Sequence, residues 1–92
     1  MDLLGDLRHY ILTEVFHGKP PADFTDQFDL IESGVMDSLV MMKYITWVSE
    51  SYDVEFGPND LVPKNFHSVF ALFSFLDAVL HPDQANSSKL SP

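Results

Sequence analysis

At 92 residues the chain has room for one domain, large enough to bury about 60% of the surface its unfolded form exposes and to fold around a single core. Fourteen acids against five bases give a formal charge of −9, which argues against a nucleic-acid partner, because neutralising a phosphate backbone takes clustered Lys and Arg. With no cysteine there is no disulfide, no thiolate nucleophile and no Cys ligand for zinc, so any thiol chemistry has to come from an attached group.

The opening residues lack the basic stretch of a signal peptide, and no apolar run approaches membrane-spanning length. The expectation is a free-standing cytoplasmic monomer with no membrane partner. From residue 2 to about 16, Leu4, Leu7, Ile11 and Val15 recur at helical spacing, with Asp6 and Glu14 outside the stripe and Arg8 at its edge. This predicts a first helix. His17-Gly18-Lys19-Pro20-Pro21 ends it, through Gly near the C-cap and two prolines that cannot continue.

A long loop follows, with no base between Pro20 and Met36. Asp23, Asp26, Asp29 and Glu32 alternate there with Phe24, Phe28, Leu30 and Ile31. A loop of this length needs function or anchors, and the apolar residues are read as anchors. The acids lack the alternate-position ligands and sixth-position Gly of a calcium loop, so a solvated acidic face is predicted.

Asp37 and Ser38 are both good N-cap residues, and the apolar periodicity resumes at Leu39, so a second helix should run from about residue 38 to 52. A hydroxyl at its start lies beside free backbone N–H groups and the positive end of the helix dipole, where a phosphate ester would be held. Met41, Tyr44, Ile45, Val48 and Tyr52 form the core face. Leu39 and Met42 point away from it, with Val40 and Trp47 on a flank, and Lys43 and Glu50 are the only charges between Ser38 and Tyr52. This helix has more apolar surface than one core stripe uses.

Val54-Glu55-Phe56 reads as an extended connector into Gly57-Pro58. Asn59 then caps one turn through Asp60, Leu61 and Val62 before Pro63. Phe66 is expected in the core. Ser68 caps a last helix whose buried stripe is Val69, Leu72, Phe73, Leu76, Val79 and Leu80, with Phe70 and Phe75 off it. His81-Pro82 ends that helix. Residues 1–82 are read as the domain and 83–92 as a flexible tail.

Gly-Val-Met-Asp-Ser-Leu after Leu-Ile-Glu-Ser, the helix closing in Ser-Tyr-Asp-Val-Glu-Phe, and the later Asn-Asp-Leu-Val and Asn-Phe-His-Ser-Val segments together resemble the acyl and peptidyl carrier protein family. The resemblance runs from about residue 4 to 80. It implies an all-α four-helix carrier-protein bundle, with three longer helices, a short third helix and a long loop between helices one and two. It also implies that Ser38 receives 4′-phosphopantetheine from coenzyme A, with Asp37 beside it helping to position the metal or phosphate. The protein would be a carrier and not an enzyme, holding acyl or aminoacyl groups as thioesters.

The implied partners are a phosphopantetheinyl transferase, an adenylation or other loading enzyme, and condensing or transferase enzymes that meet the outer face of helix two at Leu39, Met42, Lys43, Thr46 and Trp47. Members in fatty acid synthesis have an acidic second helix, whereas this one carries Lys43 among neutral neighbours. The expectation is therefore specialised nonribosomal peptide or polyketide metabolism, with an aminoacyl or peptidyl cargo favoured. The competing reading is a helical protein–protein adaptor with no prosthetic group. A small hydrolase is disfavoured, because Ser38 has no Gly-x-Ser-x-Gly elbow and no oriented base, and the four histidines are scattered without metal-ligand spacing.

Overall fold

A computed structural model describes residues 2–81. Three α-helices are present among them, and no strand: α1 (Leu3–Tyr10), α2 (Ser38–Tyr52) and α3 (Val69–Leu80). The domain end at residue 82 and the tail at 83–92 lie outside the described residues.

Asp2 caps α1 by accepting the Gly5 N–H at 3.1 Å, which satisfies one of the orphan donors of the first turn. The helical path predicted through residue 16 is kept, but its last stretch, Ile11–Val15, is a π-turn. The Phe16 N–H reaches back five residues to the Ile11 carbonyl, and the Thr13 hydroxyl donates to the carbonyl of His9 at 2.8 Å. A hydroxyl bonded to the preceding turn competes with the regular ladder, and such insertions widen a helix. His17 and Gly18 then both take left-handed φ, at 54° and 79°, and the helix stops there.

Leu7 and Ile11 are fully buried on the predicted stripe, with Leu4 and Val15 half-buried. Arg8 forms a two-point ion pair with Asp26, Nη2 to Oδ2 at 2.8 Å and Nε to Oδ1 at 3.0 Å. Asp26 thus leaves the solvated acidic face predicted for the loop. The loop anchors are as expected, and Leu30 is fully buried while Phe16, Phe24 and Phe28 pack as a triad with centroids 5.3 to 6.1 Å apart. The Leu30 N–H donates to the His67 carbonyl at 2.6 Å, and the Met36 N–H donates to the Leu30 carbonyl at 2.9 Å. These bonds tie the approach to α2 onto the approach to α3.

The predicted short third helix is replaced by two separate 3-10 turns, Pro58–Asp60 and Pro63–Asn65. A four-helix bundle therefore becomes three α-helices with a turn-built connector. Pro58 and Pro63 each open a turn, where a missing N–H costs nothing, and Pro63 disfavours helical backbone in the residue before it. The first turn begins at Pro58, one residue before the predicted cap Asn59, and the Asp60 carboxylate accepts the Gly57 N–H at 2.9 Å. Phe66 is buried as expected.

Ser68 caps α3, its buried hydroxyl accepting the Ala71 N–H at 3.0 Å. Val69, Leu72 and Leu76 are buried as the stripe predicted, and Phe73 and Leu80 are half-buried. Val79 is instead 42% exposed. The core side of α3 is turned toward Ala71 and Phe75, and Phe75 stacks on Phe56 of the connector at 5.5 Å. α1 packs closely on α3, whereas α1 and α2 stand further apart and are bridged by large rings.

Candidate functional site

Asp37 has extended backbone and accepts the Val40 N–H on its carboxylate at 2.9 Å, which makes it the N-cap and Ser38 the first residue of α2. The bond from the Met41 N–H to the Asp37 carbonyl, at 2.8 Å, closes the first helical turn. The N–H groups of Ser38 and Leu39 are then the donors the helix itself leaves open. Ser38 is exposed, and no hydrogen bond among the described residues engages its hydroxyl. A phosphodiester on that oxygen fits, because the site offers room, two open backbone donors and the positive end of a 15-residue helix.

The loop that delivers Ser38 is held on its inner side. Met36 and Leu30 are buried two and eight residues before it, Gly34 turns with φ 87°, and Asp29 accepts the N–H groups of Ile31 and Glu32 at 3.1 and 2.8 Å. Ser38 therefore sits at the outer end of an anchored segment. No group of three or more His, Asp or Glu side chains able to hold a metal ion is present among the described residues.

On α2 the predicted division of faces is observed. Tyr44 and Val48 are buried and Met41, Ile45 and Tyr52 half-buried, while Leu39 is 65% and Met42 61% exposed. Lys43 and Thr46 are exposed, and with Met42, Trp47 and Glu50 they line a shallow hollow of about 380 Å³. Trp47 belongs to this surface only by one edge. Its ring is half-buried and stacks on Tyr10 of α1, centroids 4.4 Å apart and planes inclined by 22°.

Tyr10, Tyr44, Trp47 and Tyr52 form a continuous aromatic group between α1 and α2. Burial, with the nearby Glu14 charge, raises the Tyr10 phenol above its ordinary range. The Tyr52 phenol is pushed up to about 12 by burial, by the hydrogen bond it donates to Asp6 at 2.9 Å, and by the Asp6 charge. Burial drives Tyr44 further in the same direction. All three stay protonated at neutral pH and present neutral rings, and among them Tyr52 donates a hydrogen bond.

The aromatic group has no signature as a unit in the sequence. Its members lie on two helices, and only the i, i+4 spacing of Asp6, Tyr10 and Glu14, facing that of Leu39, Lys43 and Trp47, signals two rows able to meet. Comparison with protein-family models, with curated proteins and with solved structures finds no match to this chain.

Proposed function

We propose that this chain is a carrier protein, modified with 4′-phosphopantetheine at Ser38 and presenting thioester-bound acyl or aminoacyl groups to biosynthetic enzymes. The observation that carries the reading is the Ser38 hydroxyl: exposed, unbonded and first in a helix capped by its neighbour Asp37, within Gly-Val-Met-Asp-Ser-Leu. A core helix that needed only a cap would be served by Asp37 alone. The two 3-10 turns stand in chain order where the family's short third helix is expected.

In the modification, Ser38 Oγ forms a phosphodiester bond to the pantetheine phosphorus of coenzyme A. The pyrophosphate P–O bond breaks, adenosine 3′,5′-bisphosphate leaves, and the hydroxyl proton passes to a base of the transferase. Ser38 supplies the nucleophilic oxygen. Asp37 acts through the cap, holding the first turn of α2 so that the hydroxyl and the open N–H groups face the incoming phosphate. The attached thiol supplies thioester chemistry that a chain without cysteine lacks. Tethering then replaces free diffusion by a high effective concentration at each partner's active site.

The chain itself is acted on and is not an enzyme in this reading. Its partners are a phosphopantetheinyl transferase, an adenylation or other loading enzyme, and condensing enzymes in the cytoplasm, which approach over Leu39, Met42, Lys43 and Thr46. The absence of an acidic second helix favours partners of specialised nonribosomal peptide or polyketide metabolism. The exposed Leu39 and Met42 also suit an adaptor that binds another protein without any prosthetic group.

Incubation with coenzyme A, magnesium and a broad-specificity transferase separates the two. The intact mass should rise by one phosphopantetheinyl group, and Ser38→Ala should abolish the rise. No gain with the wild type overturns the carrier reading and leaves the adaptor, and an equal gain with Ser38→Ala overturns the assignment to Ser38.

A further inference from the structure

The shallow hollow of about 380 Å³ on α2 has a cation at one end and a carboxylate at the other. Lys43 and Glu50, both exposed, stand seven residues apart on one face, about 10 Å along the axis by the rise of an α-helix. Thr46 lies between them, and its short side chain leaves the space that the longer Met42 and Trp47 wall in. Neither Lys43 nor Glu50 makes an ion pair among the described residues. The positions one turn away from Lys43 are Leu39, Val40, Thr46 and Trp47, and none of them can neutralise it.

The row extends beyond the hollow. Leu39 and Met42, 65% and 61% exposed, add an apolar step at the Ser38 end, and Asp53, the C-cap of α2, adds a second acid past Glu50. From Leu39 to Glu50 the face is about 16 Å long, three turns of a helix. A small molecule would leave most of its surface in water on so open a face, whereas a helix covers it lengthwise. The order of charges then decides which helix. A uniformly basic one, drawn by the chain's charge of −9, would set a like charge on Lys43, and a uniformly acidic one would oppose both Glu50 and that overall charge. A helix with an acid, an apolar residue and a base in that order, each about one turn from the next, meets every feature of the row.

We infer that this row of α2 receives an amphipathic helix of a partner protein, whose apolar side chain fills the hollow over Thr46 with a carboxylate at Lys43 and a cationic side chain at Glu50. The inference rests on the docking face that the carrier reading assigns to α2, a face the adaptor reading shares, and names the partner's chemistry there. The order of charges gives the contact a direction: the acidic end of the partner helix lies toward Ser38 and its basic end toward Asp53. Apolar contact over Met42 and Trp47 supplies the affinity, and the two charges supply register and on-rate.

The test adds helical peptides to the unmodified full chain, so that the readout does not depend on the prosthetic arm. Three amphipathic peptides of equal length share a central Leu and differ in charge: Glu at one end and Lys at the other, Lys at both, or Glu at both. In ¹H–¹⁵N spectra the mixed peptide should shift the Thr46 amide and the Trp47 indole N–H, and bind about three- to tenfold more tightly than either uniform peptide. A nitroxide on its Glu end should broaden the Leu39 and Met42 amides, and one on its Lys end those of Glu50 and Asp53. Exchanging the charges, Lys43→Glu with Glu50→Lys, changes two exposed residues and should keep the affinity while reversing which end lies beside Ser38. Unshifted Thr46 and Trp47 signals, tighter binding by a uniform peptide, or an orientation unchanged in the double variant overturns the inference. Peptide failure beside a normal gain of phosphopantetheinyl mass sinks only this inference, whereas peptide binding without a mass gain sinks only the carrier reading.

Discussion

Tyr44 carries the one buried side-chain polar atom among the described residues that lacks a hydrogen-bond partner, its hydroxyl oxygen. Around it stand Tyr10, Trp47 and Phe66, with centroids 5.8 to 6.1 Å away, so the ring is well packed while the hydroxyl is not satisfied. Leaving a buried hydroxyl unpaired costs about 1–3 kcal/mol, whereas deleting a large buried ring costs about 3–5 kcal/mol. Tyr44→Phe should therefore hold or raise stability by about 1 kcal/mol. Tyr44→Ala should lose about 3–5 kcal/mol, both read from urea unfolding. A clear loss with Tyr44→Phe would mean that an ordered water holds the hydroxyl. The sequence marks Tyr44 as core by its spacing from Met41 and Val48, but the isolation of its hydroxyl depends on which rings α1 and the connector bring to it.

At the scale of the element, α2 combines a buried stripe with an outer row, Leu39 and Met42, that is exposed among the described residues. Leu39 and Met42, more than half exposed, should tolerate charge: Leu39→Glu and Met42→Glu are expected to change stability by about 0.5 kcal/mol or less. Val48→Ala, on the fully buried side, should cost about 1–3 kcal/mol. Thermal unfolding checks both, and a Met42→Glu variant that unfolds would place Met42 in the core. On the carrier reading the same two Glu variants should slow transfer of cargo from the loading enzyme, measured by time-resolved intact mass.

The span of α2 was legible because Asp37 and Ser38 are both good caps and the apolar period starts at once behind them, and the structure assigns the cap to Asp37. The predicted third helix was not, because Pro58 and Pro63 each start a turn and together deny any turn the length to become an α-helix. The π-turn in the first helix has a weaker signature. A Thr able to bond back to the preceding turn is common in regular helices, and its effect on Ile11–Val15 depends on packing.

For the whole molecule, the long first loop is structural on its inner side and presents Ser38 on its outer end. Leu30 is its deepest anchor, bonded through its backbone to His67 on one side and Met36 on the other. Leu30→Ala should cost about 2–5 kcal/mol, as much as a helical core residue, and the midpoint of chemical unfolding measures it. A loss under about 1 kcal/mol, the range of an exposed substitution, would show that the loop does not bear on the core. The Arg8–Asp26 pair, whose guanidinium hydrogen bonds hold the Asp26 carboxyl below its usual range, adds a second tie between α1 and this loop. Both partners reach solvent, so that tie contributes less than Leu30.

Legible in the sequence alone are the helical class, a cap at Asp37 or Ser38 and another at Ser68, the anchoring role of Leu30, the buried partners Tyr44, Val48, Phe66, Leu72 and Leu76, and Ser38 as an exposed hydroxyl at a helix start. These follow from local rules, in which a side chain and its neighbours within a turn or two carry the whole argument. It took the assembled fold to show that Asp37 and not Ser38 is the cap, that Asp26 pairs with Arg8, that Trp47 divides itself between the outer face and Tyr10, that Val79 is half out while Phe75 stacks on Phe56, and that α1 and α2 are held apart by rings. All of these but the cap depend on the distance and rotation between elements far apart in the chain. Helical spacing fixes which residues share a face and leaves open what that face meets.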